Sequence, residues 1–238
     1  MLDFSQRSTD PELMDCPDSS GQLLGNTLKQ FVWINQHMTP SRRLLRRNVL
    51  RQMRADPSRE WTMLDIGSGG CDLAIWLIDL CRQERISLVI TCIDHDSRVV
   101  EFARQRLVNY PEIILHQGDA LALLSKSPKG NWDFIFSNHF LHHLTTPEIV
   151  HCLHLVVLAC REQCIMSDLV RSRFSYFLYS VCAKLLLRNS FAYDDGRLSI
   201  RRSLTKKEAS LLVEADPQLQ SLCVHSAIPG HFVFWNPQ

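Results

Sequence analysis

The segment LDIGSGGCD, Leu64 to Asp72, places a carboxylate, Asp65, at the end of an apolar run and two residues before a turn of Gly67, Ser68, Gly69 and Gly70. A dinucleotide fingerprint ends in a glycine that lets helix and strand pack closely; here that place is taken by Asp72. A carboxylate at Asp65 would repel a pyrophosphate but can accept bonds from an ammonium group. Two further acids follow apolar runs. Asp94 closes SLVITCID, where it can take two ribose hydroxyls, and His95 comes next. Asp119 in QGDA can meet an adenine amino group, with Ala120 against the ring. Any one of these acids could be a solvated loop residue. Three at the carboxyl ends of consecutive strands mark a ligand edge.

The ligand they suit is a nucleoside that carries an amino acid and no phosphate, which is the chemistry of S-adenosylmethionine. An acceptor would then sit beyond the fourth and fifth strands. The segment Ser137 to Leu144 reads SNHFLHHL, and His142 or His143 could deprotonate a phenol near neutral pH or simply pack locally. His139, His142 and His143, with His151 and His154 downstream, lack a CxxC or HExxH pattern, so no metal site is expected. Farther on, RSRFSYFLYSVCAKLLLR interleaves Phe174, Tyr176, Phe177 and Tyr179 at helical spacing. It is either a core face or a lid walling a flat, apolar acceptor.

The elements that must position these residues alternate regularly. Strands are expected at 61–66, 87–94, 112–117, 132–138 and 162–168, with helices between them, and parallel strands joined this way need crossovers. QSLCVHSA and HFVFW are separated only by Ile228-Pro229-Gly230, too short for a crossover, so they form an antiparallel hairpin. The expected fold class is α/β, a doubly wound seven-stranded mixed sheet that ends in this hairpin. Residues 1–58 are read as an N-terminal arm and helical lid. The first 25 or so lack periodicity and are expected to pack loosely, and Ser41 is expected to cap a helix that Asp56-Pro57 ends. Residues 59–238 are the binding domain, with 169–203 inserted as a lid over substrate.

With the strands set out, LDIGSGGCD, CID, QGDA and SNHFLHHL resemble the motifs of class I S-adenosylmethionine-dependent methyltransferases. ELMD near the start, the IN of FVWIN, SDLVRS and DDGRLSIRRSLTKKE are similar to a UbiE-like branch that includes quinone methyltransferases and small-molecule O-methyltransferases. Many relatives carry a third glycine where this chain has Cys71. The resemblance implies a Rossmann-like fold, with Asp65 and the Gly67, Ser68 and Gly69 loop at the methionine end of the cofactor, bordered by Asn138 and His139. It implies acceptor contacts at Phe140, Arg171, Tyr193 and Asp194. Enzymes that methylate nucleobase amines place two prolines and an aromatic after the fourth strand; SNHF has no proline, so no nucleic-acid acceptor is expected.

The expected reaction is methyl transfer to a small aromatic acceptor, foremost a phenolic hydroxyl of a secondary metabolite or polyketide. Ring C-methylation of a quinone precursor, or a module recruited for non-methylating chemistry, are the alternatives. A formal charge of +1 over 238 residues argues against bulk polyanion binding. The arginines at 42, 43, 46, 47, 51 and 54 form either a solvated helix face or a contact to RNA or an anionic membrane. The longest apolar stretch is too short to span a bilayer and contains Lys184, and nine cysteines without a CxxC read as reduced thiols. A cytoplasmic protein is expected, with a homodimer through the N-terminal region left open.

Overall fold

In the computed structural model, which describes residues 3–16 and 18–236, seven strands share one sheet in the order β3-β2-β1-β4-β5-β7-β6. They are β1 (Glu60–Ile66), β2 (Ser87–Asp94), β3 (Ile113–Gln117), β4 (Trp132–Asn138), β5 (Cys160–Leu169), β6 (Cys223–Ala227) and β7 (His231–Trp235). The first five run parallel, and β7 pairs antiparallel with both β5 and β6. The expected hairpin is present, with Ala227 opposite His231 across the Ile228-Pro229-Gly230 turn.

Alternation along the strands sends successive side chains to opposite faces. Met63, Phe134 and Phe136 join one core with α4 (Asp72–Glu84) and α5 (Ser97–Arg106). Leu64, Ile66 and Ile135 join another with α6 (Ala120–Ser125) and α7 (Thr146–Ala159). Burial on both faces explains why the strands read as continuous apolar runs. α7 begins with a capping box in which Thr145 and Glu148 satisfy each other's backbone amides.

The N-terminal half of the chain departs from expectation in two ways. After α1 (Gly21–His37), a single helical rod runs from α2 (Ser41–Leu44) through a π segment at Leu45–Leu50 into α3 (Arg51–Ala55). Ser41 does not cap it; the residue is wholly buried, and its hydroxyl donates to Asn138 Oδ1 at 2.8 Å. Residues 3–16 are not loosely packed either. The Leu13 and Met14 amides donate to the two oxygens of Asp195 at 2.7 and 3.0 Å, and Glu12 is buried against the sheet edge. A segment without periodicity is fixed here by specific polar anchors, which hydrophobic patterning cannot reveal.

The segment expected to be a lid, 169–203, forms α8 (Arg173–Leu186) and α9 (Ala192–Arg202), followed by α10 (Lys206–Ala215). The apolar residues of α8 are not a core face: Phe174, Phe177 and Leu185 point outward, while Tyr176 and Tyr179 turn inward toward α9. Among the described residues no helix is long and apolar enough to cross a membrane.

Candidate active site

The carboxyl ends of β1, β2, β4 and β5 open into a cavity of about 600 Å³, within the usual range for small-molecule sites. Its floor is the glycine loop. Gly67 and Gly69 take positive φ values of 64° and 54°, and Cys71 does the same at 56°, left-handed although it carries a Cβ. Cys71 therefore follows a path that a glycine would take without strain, and it starts α4. At Gly67 an added Cβ would lie 3.0 Å from the Phe140 ring, so the loop and the β4 turn close on each other.

Acids crowd this end of the cavity. Burial pushes the Asp65 carboxyl well above the usual range, and Asp72 and Asp94 nearby push it further. Burial also raises Asp72 and Asp94. Asp94 accepts from the Gly69 amide at 3.0 Å and the Asp96 amide at 3.1 Å, so it shapes the loop as well as facing the cavity. Asp72 Oδ2 is buried without a partner. A cluster of desolvated carboxylates with an orphaned oxygen fits a cationic ligand, as the ammonium and sulfonium of S-adenosylmethionine require. Asp119 is exposed, its Oδ1 capping α6 through the Leu121 amide at 2.7 Å, with Ala120 buried beside it. Asp65, Gly67, Ser68, Gly69, Asp94, His95, Asp119, Ala120, Asn138 and His139 all line this one cavity.

The wall after β4 is tied to the N-terminal helices. Asn138 accepts from Ser41 and donates to Asn35 Oδ1 at 3.1 Å, and Asn35 in turn donates to Asp72 Oδ1 at 3.3 Å. Asn35 and Ser41, which sequence reasoning did not place at the site, thus reach the glycine loop through one network. His139 adopts φ of 60°, strained for a residue with a side chain, and its Nε2 lies 2.7 Å from His231 Nε2. His231 Nδ1 faces the Pro229 carbonyl and must donate to it, so its Nε2 accepts and His139 Nε2 donates. Burial, with His231 alongside, pushes His139 down to about 3 and keeps it neutral.

His142 behaves oppositely. Its Nδ1 meets Asp168 Oδ1 at 2.8 Å, and its Nε2 faces Glu12 Oε1 at 3.5 Å. Burial alone would discharge the ring, but the carboxylates of Asp168 and Glu12 outweigh it and push its pKa up to about 10. The two carboxylates thus favour the protonated ring, which leaves His143 the better placed of the two histidines expected to accept a proton from substrate. Glu12 in ELMD and Asp168 in SDLVRS stand inside segments read only as branch markers, and neither was expected at the site. His143, its ring tilted 36° to that of His142 with centroids 4.3 Å apart, is half-buried and lines the cavity, with Asp15 Oδ2 3.6 Å from its Nδ1. Glu12, His142 and His143 bring donor atoms within 4.8 Å of one another and are a set that could hold a metal ion. The proton on His142 already neutralises part of that charge. The five-histidine set does not assemble, since His139 turns to His231 and His154 to Asp216.

Of the acceptor contacts expected, Phe140 lines the cavity and three residues do not. Arg171 is buried away from it, clamping the Phe4, Ser5 and Ser203 carbonyls and Glu208. Tyr193 lies under the Arg197 guanidinium, and Asp194 is exposed and pairs with Arg197 at 3.8 Å. The helical phase of α9 turns the neighbouring Asp195 inward instead. Tyr179 reaches the cavity from α8, its ring tip pressed against Gly196, where a Cβ would overlap the hydroxyl. Gly196→Ala should therefore cost up to about 2 kcal/mol in urea denaturation, overpacking outweighing the gain in helix propensity. It should also raise the acceptor KM by displacing Tyr179, and unchanged values of both would refute this.

Comparisons with known proteins bear on the domain and the fold. Residues 63–163 match the methyltransferase-domain family, and no curated protein sequence matches the chain. Among solved structures, a SAM-dependent methyltransferase from Aquifex aeolicus aligns with a TM-score of 0.52 at 14% identity, over 89% of this chain and 97% of its own. The plantazolicin methyltransferase BamL, solved with SAH, gives 0.58 at 18% identity over 86% and 76%. Human N-acetylserotonin methyltransferase, solved with SAM, gives 0.55 at 17% over 89% and 55%. At these identities the likeness establishes the fold. The family match across the glycine loop and β1 to β5 marks residues 63–163 as a methyltransferase domain, on the fold that S-adenosylmethionine-dependent methyltransferases share.

Proposed function

We propose that this enzyme methylates a small aromatic acceptor, foremost at a phenolic hydroxyl of a secondary metabolite or polyketide. The observation that carries the reading is the lining of the cavity beyond the acid cluster. Leu28, Phe31, Ile34, Met38 and Tyr179 make an apolar, partly aromatic wall, with His143 among the few polar groups beside it. Such a wall suits a flat ring better than a sugar or amino acid. Two of the solved relatives are named for the compounds N-acetylserotonin and plantazolicin, which agrees with a small-molecule acceptor.

S-adenosylmethionine supplies an electrophilic methyl group. The chain's tasks are to align the acceptor oxygen, keep water out and take the hydroxyl proton. His143 is the candidate for that proton. Its backbone is held by Arg202, which donates to the carbonyls of His142 and His143 at 3.3 and 3.5 Å. Asp65 and the glycine loop would hold the methionine end, Asp94 the ribose and Asp119 the adenine. Incubation with deuteromethyl S-adenosylmethionine and a panel of phenols, naphthols and quinols, read by product mass, tests the assignment. A labelled phenol ether supports it, whereas label on ring carbon or on no acceptor overturns it.

With such an acceptor in hand, His143→Ala should lower kcat ~100-fold or more, the usual scale of a lost general base. The loss should shrink for acidic nitrophenols, whose oxygen is already ionised at neutral pH. An equal loss for all acceptors would mean that His143 only shapes the cavity.

A further inference from the structure

The outward side of α8 has no counterpart in the chemistry above. Phe174, Phe177, Leu178, Val181, Leu185 and Leu186 are all exposed, Phe174 at 74% and Leu185 at 70%. The helix carries no acidic residue, and Arg173, Lys184 and, just past its end, Arg188 are exposed around this stripe. None of these cations forms an ion pair among the described residues.

The stripe continues at both ends. Toward the helix start, Gly230 of the β6–β7 turn packs near Ser175, which brings Ile228, 76% exposed, beside it. The Ile228 carbonyl accepts from Arg43, and Arg47 is exposed one turn farther along that arginine-rich helix. Toward the helix end, Leu186 and Leu187 meet Trp33 of α1, itself partly exposed. A continuous apolar strip this size is unusual on a surface that faces only water.

We propose that this strip docks the enzyme onto an anionic lipid bilayer, with α8 lying in the interface. Large apolar side chains, flanking Lys and Arg, and a helix that itself carries no acid are the combination that such helices use. Each cation near an anionic leaflet adds attraction. A second copy of the chain is the less favoured occupant: a twofold contact through this face would set Arg173, Lys184 and Arg188 against their own copies, with no carboxylate on the helix to meet them. The opposite sides of α8 and α1 wall the acceptor cavity through Tyr179, Phe31, Ile34 and Met38. The proposal does not depend on which acceptor the cavity takes.

Flotation of the full chain with phosphatidylcholine vesicles, with and without phosphatidylglycerol, tests it. Binding should require the anionic lipid and fall as salt rises. The double variant Phe177→Glu with Leu185→Glu replaces two exposed side chains and should weaken partitioning at least about tenfold. Its thermal shift with S-adenosylmethionine should match the wild type, which shows that fold and cofactor site are intact. Lys184→Glu should weaken binding to anionic vesicles with little effect elsewhere. No binding to anionic vesicles, or binding that these variants leave unchanged, overturns the proposal. So does a wild-type dimer in sedimentation that the double variant converts to monomer, because the strip would then be a self-interface.

Discussion

Asp94→Ala is expected to weaken S-adenosylmethionine binding at least ~100-fold while the sheet stays folded. Bonds from hydroxyls to a carboxylate contribute about 1.5–3 kcal/mol each, so losing two ribose contacts reaches that factor. The loss has a second source, because Asp94 also accepts from the Gly69 and Asp96 amides. Removing it frees the glycine loop that the cofactor must meet, and an ordered loop is part of the affinity. Asp94→Asn separates the two. The amide keeps one acceptor oxygen for the loop but gives up the charge, so it should fall between wild type and alanine. Calorimetric titration reads the affinity, and thermal denaturation without ligand reads the fold. Because burial raises the Asp94 carboxyl and disfavours its charged form, neutralising it should not by itself unfold the protein. Unchanged affinity in Asp94→Ala would remove the ribose assignment.

The parts of this protein visible in its sequence are those written in local periodicity. Met63 and Leu64 sit on opposite faces of β1 and enter different cores, and that pattern repeats in β4, so the alternation of apolar runs with helices discloses the sheet. The short link at Ile228 to Gly230 discloses the hairpin. The glycine loop and the acids at strand ends are local too, and they converge on one cavity because parallel strands align their carboxyl ends. What could not be read depends on contacts between distant segments. Glu12 comes from a stretch without periodicity, yet it sits buried against His142. His139 and His231 meet because β7 inserts beside β5. Asp194 and Asp195 differ in role only through the rotational phase of α9, and a shift of one residue reverses inward and outward. Arg171 resembles a substrate contact in sequence, but its guanidinium is spent on carbonyls of the arm and of the segment before α10.

His142→Ala should be the most damaging single change to stability, on the order of 3–5 kcal/mol, because it strands two buried carboxylates. For a chain of this size that corresponds to a fall in Tm on the order of 10 °C. The same group should set a pH dependence of known sign. His142 is raised to about 10 in the folded chain, above the ordinary histidine value of 6.5. Its contribution is therefore complete below about pH 6.5 and is lost as pH climbs toward 10, where the unfolded chain has already released the proton. Glu12 and Asp168 are held below their ordinary values despite burial, chiefly by His142. Their contribution is present above about pH 4.5 and is lost as the medium turns more acidic than that. The network thus stabilises most between roughly pH 4.5 and 6.5. Urea denaturation across pH 6.5 to 9.5 should show wild-type stability declining by a few kcal/mol, while His142→Gln, already weaker, should vary much less. Glu12→Gln should reduce the decline without abolishing it, since Asp168 remains 2.8 Å from Nδ1. A wild-type profile as flat as that of the variant would show that His142 is neutral when folded, and it would return the ring to the pool of proton acceptors for the transfer reaction.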